Sequence, residues 1–220
     1  MALTSDTCEF SHAEQTRAFV DAGVGWVQLR MKNASFDRWL DTACECASIA
    51  HHKNAVLTIN DSVDIAIASG ADGVHLGTSD ERWVSARERL GARAVLGGTV
   101  HNEDDARRSF EANVLDYVGI GPFRRSSTKA DLETELGAAG IMRLLPLIGD
   151  IGAWAIGGIL PTDVAELRHV GLCGVAICAA LHYVDRELEL STDSGINWRK
   201  TVASNYYSFH TAWESSRPLL

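Results

Sequence analysis

Short apolar runs alternate with amphipathic stretches along most of this chain. Each run ends in a polar or glycine-containing loop, and the stretch after it has the spacing of hydrophobic positions that is typical of a helix. The seven clear runs are GWVQLR (25–30), AVLTIN (55–60), DGVHLG (72–77), AVLGGT (94–99), DYVGIG (116–121), AWAIGG (153–158) and CGVAIC (173–178). Near-continuous apolar strands that alternate with helices indicate a parallel sheet whose outer face is covered.

The helical patterns begin at residues that suit an N-cap. Those at 35–52 and 102–113 open with Ser35 and Asn102, whose short polar side chains can accept a hydrogen bond from the first helical turn. An eighth strand is predicted at ALTS (2–5). Eight strand–helix units in 220 residues predict an α/β fold, a compact (β/α)8 TIM barrel. An open, doubly wound sheet is the alternative.

The chain is expected to form a single domain, because no proline-rich or low-complexity linker divides it. The barrel is predicted over residues 1–190. The alternating pattern loosens from Glu187 onward, and residues 191–220 are predicted to form a C-terminal outer helix and a tail packed on the barrel.

Composition and charge exclude several classes of protein. A net charge of −9 without a long basic run argues against sequence-independent nucleic-acid binding. No apolar stretch approaches the roughly 20 residues of a membrane span, and the start MALTSDTCEF lacks the features of a signal peptide. Five cysteines without a CxxC pair favour packing thiols in a reducing compartment. A cytoplasmic protein without membrane or nucleic-acid partners is expected.

Polar residues follow the predicted strands, and in a barrel of this type the carboxyl ends of the strands carry the functional groups. In chain order they are Gln28, Arg30, Lys32, Asn60, Asp61, Asp80, Thr99, His101, Ser126, Ser127, Thr128, Lys129, Gly157, Gly158, Cys178 and Ala179. Taken singly, the aspartates could cap helices, the cations could be solvated, and the glycine pair could form a tight turn. We favour a site because separate loops supply one kind of chemistry.

Two anion-binding regions are predicted among these residues. Asp61 and Asp80 offer the hard oxygen ligands that Mg²⁺ prefers, and Mg²⁺ typically combines one or two carboxylates with substrate phosphates. Glycine and small residues at Gly158 and Ala179 would allow main-chain N–H groups to approach a second, metal-free phosphate.

The segment GIGPFRRSSTK (119–129) places two arginines, three hydroxyls and a lysine after one predicted strand. This density of donors is more than a turn needs and indicates that an anion binds there.

Several of these segments together resemble the thiamine phosphate synthase family. They are VQLRMK (27–32), NDSVDIAIASGADGVHLGTSD (60–80), GIGPFRRSSTK (119–129), AIGGI (155–159) and GVAICAAL (174–181). The resemblance runs in order over most of the chain. It implies a (β/α)8 transferase that joins an aminopyrimidine methyl diphosphate to a hydroxyethylthiazole phosphate, which can carry a carboxylate. The products are thiamine phosphate and pyrophosphate.

The resemblance also implies a role for each matching residue. Those that would hold the pyrimidine diphosphate are Gln28, Leu29, Arg30, Met31, Lys32, Asn60, Thr99 and Lys129. Those that would contact the thiazole phosphate are Ser126, Ser127, Thr128, Gly158, Cys178 and Ala179. Asp61 and Asp80 would bind Mg²⁺. Arg30, Lys32 and Lys129 would act in catalysis by stabilising the diphosphate as it leaves, without a nucleophilic side chain.

The sequence departs from the family pattern at a few positions. Met31 stands where a glutamate is usual, and Ala179 stands where a serine would add a phosphate contact. Thr78 replaces a common glutamine, whereas Thr99 replaces a serine and keeps the hydroxyl. Arg124 and Arg125 replace an aromatic residue and a proline, so part of the charge of the 119–129 segment is interpreted as ordinary surface.

Three alternatives remain open from the sequence, one of which is a different Mg²⁺-diphosphate enzyme of the same fold. A thiazole tautomerase-like enzyme of the same fold would use a histidine after the fifth strand, which here is His101 in GTVHN. A regulatory homologue without turnover would keep the barrel and lose Lys129 or the aspartates first. His75 lies within a strand and is interpreted as a hydrogen-bonded core residue. Small phosphorylated molecules are the expected partners, and a homo-oligomer is compatible with this expectation.

Overall fold

The structure is a computed structural model and describes residues 1–125, 134–182 and 194–216. Its strands are β1 (Ala2–Leu3), β2 (Trp26–Leu29), β3 (Val56–Asn60), β4 (Gly73–Leu76), β5 (Val95–Val100), β6 (Tyr117–Ile120), β7 (Gly152–Ile156) and β8 (Gly174–Ala176). Its α-helices are α1 (His12–Asp21), α2 (Phe36–His52), α3 (Val63–Ser69), α4 (Trp83–Leu90), α5 (Glu103–Ala112), α6 (Gly137–Leu144), α7 (Val164–His169), α8 (Ala179–His182) and α9 (Ser194–Ser215). Short 3-10 turns occur at Leu145–Leu147 and Pro161–Asp163.

The eight strands form one parallel sheet in the order β1 to β8. A parallel bridge between Ala2 and Ile177 closes the sheet, with the Leu3 N–H donating to the Ile177 carbonyl at 2.8 Å. The Ile177 N–H in turn donates to the Met1 carbonyl at 3.0 Å. The structure therefore confirms the predicted (β/α)8 barrel and excludes the open sheet. The eighth strand exists but is shorter than predicted, since β1 covers only Ala2–Leu3.

Two helix starts agree with the capping residues identified in the sequence. Ser35 accepts the Arg38 N–H at 3.4 Å and precedes α2. Asn102 accepts the Asp105 N–H at 2.9 Å and precedes α5. Each cap satisfies a main-chain donor that the helix itself cannot pair.

Side chains alternate between the barrel interior and the surrounding helices along each strand. The outward-facing aliphatic residues are fully buried between sheet and helices and comprise Val27, Leu29, Leu57, Ile59, Val74, Leu76, Leu96, Val100, Val118 and Ile120. The inward-facing residues nearest the carboxyl ends of β2 to β5 are polar, namely Gln28, Asn60, His75 and Thr99. The strand pattern therefore places polar groups at one end of a hydrophobic barrel.

Aromatic rings fill the other end of the interior, opposite glycines of neighbouring strands. The Trp26 ring lies 4.8 Å from the Tyr117 ring and 5.3 Å from the Trp154 ring, between centroids. A Cβ atom on Gly97 would lie 2.2 Å from Cζ of Tyr117, and one on Gly174 would lie 2.4 Å from Cζ3 of Trp154. The rings fit because these two positions carry no side chain.

Helix α9 packs against α1, α7 and α8 on the outside of the barrel. Its buried side chains include Trp198, Val202 and Phe209, and the Trp198 ring stacks on Phe10 with centroids 4.1 Å apart. The Tyr206 hydroxyl donates to the Gly23 carbonyl at 3.1 Å. Within the described residues, no helix has the length and apolar character needed to cross a membrane.

The cysteines do not all behave as the sequence predicted. Cys46 is fully buried, and burial raises the pKa of its thiol to about 11. Cys44 and Cys173 are exposed, whereas Cys8 and Cys178 are half-buried. The prediction of five packing thiols is therefore wrong for the two exposed ones.

Candidate active site

The end of β2 supplies an amide and two cations to the carboxyl face of the barrel. Gln28 is 3% exposed and its Nε2 lies 3.5 Å from the Tyr117 hydroxyl, inside the barrel. Arg30 follows the strand, and Lys32 Nζ forms an ion pair with the Asp61 carboxylate. Gln28 therefore points into the barrel, and Lys32 lies beside Asp61.

Leu29 and Met31 face away from this site. Leu29 is fully buried and Met31 is 5% exposed, both within the hydrophobic core. Their contact with a substrate can therefore come only from main-chain atoms. Glutamate is usual at position 31 in the family pattern, and the apolar Met31 fits its buried environment here.

Asp61 and Asp80 lie together after β3 and β4. Asp61 has a left-handed backbone conformation (φ 70°), and its N–H donates to the His75 carbonyl at 2.8 Å. Asp80 Oδ2 accepts the Gly77 N–H at 2.7 Å. Burial and the nearby Asp61 raise the pKa of Asp80, although the Gly77 N–H and the Lys32 ammonium oppose this shift. The arrangement concentrates negative charge at one point beside Lys32.

These two carboxylates fit the donor set expected for Mg²⁺. Two hard oxygen ligands that repel each other leave coordination positions for phosphate oxygens and water. A divalent ion between them would favour the charged form of Asp80, whose pKa is raised without it. Among the described residues, no three His, Cys, Asp or Glu side chains gather into a metal cluster. Substrate oxygens would therefore have to complete the coordination.

His75, Thr99 and Tyr117 form a hydrogen-bonded floor beneath these groups. His75 Nε2 lies 2.9 Å from Thr99 Oγ1, and its Nδ1 lies 3.0 Å from the Tyr117 hydroxyl. Burial raises the pKa of Tyr117, so the phenol stays protonated. His75 is hydrogen-bonded as predicted. Tyr117 was not identified from the sequence. The strand register sets it opposite Gly97, and the missing side chain of that glycine leaves space for the inward tyrosine ring.

Gly157 and Gly158 form a turn that packs against the segment after β6. Both have left-handed φ values, 99° and 61°, and a Cβ on Gly157 would lie 2.8 Å from the Pro122 Cβ. The Gly157 carbonyl accepts the Arg124 N–H at 3.0 Å, and the Gly158 carbonyl accepts Arg124 Nη1 at 2.5 Å. Glycine is required here by both conformation and space.

Arg124 is engaged in an ion pair that joins two loops, whereas the exposed Arg125 agrees with its interpretation as ordinary surface. Arg124 donates from two nitrogens to the Asp163 carboxylate, each at 3.0 Å. Burial tends to raise the pKa of Asp163, but Arg124 and the Leu160 N–H outweigh it and hold that pKa below its ordinary value. Arg125 Nε lies 3.7 Å from the Glu135 carboxylate. Arg124 therefore connects the loops after β6 and β7.

Cys178 and Ala179 follow β8 beside the end of β1. Cys178 Sγ lies 3.9 Å from the Thr4 carbonyl, and burial raises the pKa of its thiol while the charge of nearby Arg30 opposes the shift. Ala179 is exposed at the start of α8. The structure thus brings Arg30 and Cys178 into one neighbourhood.

Four of the predicted residues, Ser126, Ser127, Thr128 and Lys129, lie outside the described residues. The segments on either side of 126–133 are joined to each other, because the Arg125 N–H donates to Glu135 Oε1 at 3.0 Å and the Leu136 N–H donates to the Pro122 carbonyl at 2.9 Å. His101 lies nearby, with its Nδ1 2.6 Å from the Gly121 carbonyl.

A cavity of about 210 Å³ lies at the opposite end of the barrel, under α9. Its lining is mainly apolar and includes Trp154, Val175, Tyr206, Phe209 and Trp213. It holds none of the predicted site residues, so the chemistry of this protein is assigned to the other face.

The fold and this face define a class of protein, a (β/α)8 enzyme with an acidic, metal-compatible site at the carboxyl ends of its strands. The chain belongs to the thiamine monophosphate synthase family, whose model matches residues 2–181. The thiamine-phosphate synthase of Bacteroides fragilis is 34% identical over 183 residues, covering 81% of this chain and 89% of that protein. The thiamine-phosphate synthase of Herpetosiphon aurantiacus is 36% identical over 166 residues, covering 76% of this chain and 79% of that protein.

A solved structure of thiamine phosphate pyrophosphorylase from Pyrococcus furiosus has the same fold, with a TM-score of 0.78. The structural match covers 99% of this chain and 96% of the Pyrococcus furiosus chain, and the two are 22% identical in sequence. This likeness confirms the fold, and the family model and the two relatives confirm the family predicted from the sequence. The individual site residues stay predictions.

Proposed function

We propose that this protein is an active thiamine-phosphate synthase. It would couple 4-amino-2-methyl-5-(diphosphooxymethyl)pyrimidine to hydroxyethylthiazole phosphate and release thiamine phosphate and pyrophosphate. The observation that carries the proposal is the Lys32–Asp61 ion pair beside Asp80, at the carboxyl ends of neighbouring strands in a chain of this family.

The reaction needs charge stabilisation on the leaving group more than it needs a general base. The C–O bond to the diphosphate breaks with its electron pair going to the diphosphate, and the thiazole nitrogen supplies the pair for the new C–N bond. Mg²⁺ held by Asp61 and Asp80 would supply positive charge to the diphosphate. Arg30, Lys32 and Lys129 would bind the remaining phosphate oxygens. Gln28, Asn60 and Thr99 would orient the pyrimidine.

The thiazole phosphate would bind where the loops after β6, β7 and β8 meet. Arg124 holds the first two of these loops together through Gly158 and Asp163. Ser126, Ser127, Thr128, Gly158, Cys178 and Ala179 are the residues proposed to contact this phosphate. A thiazole that carries a carboxylate would lose CO2 in the same reaction.

The test is a coupled assay for thiamine phosphate and pyrophosphate with both substrates, in Mg²⁺ and in EDTA. Mg²⁺-dependent release of both products is expected, and a comparison of the two thiazole phosphates would give the preferred one. A folded protein that binds the diphosphate without forming product would overturn the proposal. Isomerisation of a thiazole phosphate in that case would point to the His101 alternative, and ligand binding alone to a regulator.

A substitution at Lys129 tests the proposed catalytic role of this lysine. Lys129→Ala is expected to lower kcat by about 100-fold or more, because one positive charge on the leaving diphosphate is lost at the transition state. Its circular dichroism spectrum and melting temperature are expected to match those of the wild type. Unchanged kcat would remove Lys129 from the catalytic set.

The proposed setting is the cytoplasm, where a reducing environment suits the exposed thiols of Cys44 and Cys173. Fractionation of cells with an antibody to this chain tests the compartment. Light scattering after size exclusion tests the proposed homo-oligomer.

A further inference from the structure

The loop between β1 and α1 contacts the main chain that carries the two proposed diphosphate cations. Asp6 Oδ2 accepts the Lys32 N–H at 3.0 Å, and Asp6 Oδ1 lies 3.0 Å from His12 Nε2. Residues 30–34 follow β2 and have no regular secondary structure, so these bonds replace the ladder bonds of the strand.

Thr4 holds the main chain of Arg30 in the same way. Its Oγ1 accepts the Arg30 N–H at 3.0 Å and lies 2.8 Å from His12 Nδ1. Thr4 is fully buried and His12 is 8% exposed. The imidazole therefore contacts both Thr4, which accepts the Arg30 N–H, and Asp6, which accepts the Lys32 N–H. We call Thr4, Asp6 and His12 together the β1–α1 clamp.

A neutral imidazole satisfies every contact in the clamp. The Asp6 carboxylate only accepts, so His12 Nε2 carries the hydrogen that it donates to Oδ1. His12 Nδ1 then accepts the Thr4 hydroxyl hydrogen, which leaves a Thr4 lone pair for the Arg30 N–H. This arrangement requires a neutral imidazole, and burial lowers the pKa of His12 despite the opposing effect of Asp6.

We propose that Thr4, Asp6 and His12 are positioning residues that aim Arg30 and Lys32 at the leaving diphosphate by fixing their main-chain N–H groups. The proposal rests on the proposed function, since it takes those two cations as diphosphate ligands. Lys32 has a long side chain that is 45% exposed. A fixed main chain therefore limits how far its ammonium can move from Asp61, and a small displacement of a charged group costs transition-state stabilisation.

The chain contains a matched control for this clamp at the opposite end of the barrel. Asp72 Oδ2 accepts the Leu57 N–H at 2.7 Å and lies 3.0 Å from His51 Nε2. This is the same combination of carboxylate, imidazole and main-chain N–H, but it lies at the start of β3, away from the site. Loss of either the Asp6 or the Asp72 carboxylate should affect stability, and only loss of Asp6 should weaken binding of the diphosphate.

The experiment compares Asp6→Ala and Asp6→Asn with Asp72→Ala in three measurements. Steady-state kinetics with each substrate varied should show about a 10-fold rise in KM for the pyrimidine diphosphate in Asp6→Ala, with the KM for the thiazole phosphate unchanged. Asp6→Asn keeps one acceptor oxygen and should fall between. Amide hydrogen exchange by NMR should accelerate at Arg30 and Lys32 in Asp6→Ala and stay at the wild-type rate there in Asp72→Ala. Titration with Mg²⁺ and inorganic pyrophosphate should show weaker binding to Asp6→Ala.

Unchanged exchange at Arg30 and Lys32 in the Asp6 variants would overturn the proposal. Kinetic changes that are the same in Asp6→Ala and Asp72→Ala would also overturn it, because they would show a loss of stability alone. A wild-type protein without synthase activity would reject the proposed function, and the exchange and pyrophosphate measurements would still decide on the clamp. If Asp6→Ala does not fold, Asp6→Asn gives the same comparison.

Discussion

Asp80 carries its charge in surroundings that disfavour it. Its carboxylate is partly buried and lies beside Asp61, and both effects raise its pKa. A group that is less stable in the ionised form than it would be in water reduces the free energy of unfolding at neutral pH. Such a position is typical of a residue retained for binding a cation.

Asp80→Asn is therefore expected to stabilise the protein and to abolish its Mg²⁺-dependent activity. The amide can still accept the Gly77 N–H, and it no longer repels Asp61. Because the site is open to solvent, a modest rise in melting temperature of about 2 °C at pH 7 without metal is expected. Differential scanning calorimetry measures it, with the exposed Asp150→Asn as a control. A melting temperature below that of the wild type would contradict this account of Asp80.

Individual strands show how a hydrophobic run can also build a polar site. In β2 to β5, outward aliphatic residues alternate with inward ones, and the inward residue near each carboxyl end is polar. Neighbouring strands share this alternation through their parallel register, as in the Asn60–His75 pair. The site is therefore a property of paired elements and of their register.

Gly97→Ala is expected to disrupt this pairing at β5. The new methyl group would overlap the Tyr117 ring, and overpacking of this kind costs about 1–3 kcal/mol of unfolding free energy. Urea denaturation measures the loss. Gly25→Ala, where no heavy atom lies within 4 Å of the new Cβ, is the matched control. The double variant with Tyr117→Leu should recover part of the stability, and a loss equal to that of Gly25→Ala would refute the steric explanation.

Arg124→Met is expected to loosen the connection between the loops after β6 and β7. The Asp163 pKa is lowered mainly by Arg124, so the stability from this pair is present above about pH 4 and is lost as the pH falls through the folded-state pKa. Unfolding free energy at pH 7 should fall by about 1 kcal/mol, since solvent screens the half-exposed arginine.

Urea denaturation at pH 7 and pH 3 checks this dependence. The difference between wild type and Arg124→Met should shrink at pH 3. Arg107→Met, which removes an exposed ion pair to Glu103 on one helix, should leave stability nearly unchanged at both values. A constant difference for Arg124→Met would mean that packing, and not the charge pair, joins the two loops.

At the scale of the whole molecule, α9 completes the outer layer next to α1 and α7. Trp198 on this helix stacks on Phe10 and lies parallel to the His182 ring, with centroids 5.9 Å apart. Burial lowers the pKa of His182 to about 4. The folded state therefore disfavours the protonated form of the His182 ring.

Stability is expected to decrease between about pH 6.5 and about pH 4 because of His182. In that window the unfolded chain binds a proton that the folded chain does not, and the shift corresponds to roughly 3 kcal/mol. His182→Gln should flatten this part of the pH profile of unfolding free energy. The exposed His52→Gln should leave the slope unchanged. Part of the slope should remain in His182→Gln because burial also lowers the pKa of His12 and of the Met1 amino group, and a slope equal to that of the wild type would assign it elsewhere.

The periodicity of the chain was sufficient to predict the barrel, because parallel strands and amphipathic helices have different hydrophobic spacings. The strand ends predicted from it carry Gln28, Asn60 and Thr99 on the inward face, as the alternation of side chains requires. Leu29 and Met31 were grouped with them from the motif, but the same alternation turns Leu29 into the core, and Met31, which follows the strand, is also buried there. The motif names a segment, whereas the strand geometry selects which side chains of that segment reach the site.

The amino-acid sequence by itself determined the order of strands and helices, the capping residues Ser35 and Asn102, and the family of the protein. These follow from local spacing and from motifs that are contiguous in the chain. Only the tertiary structure decided which other distant groups meet, such as Asp6 with Lys32 and Arg124 with Asp163. Barrel closure and strand register set those distances, and no local pattern encodes them.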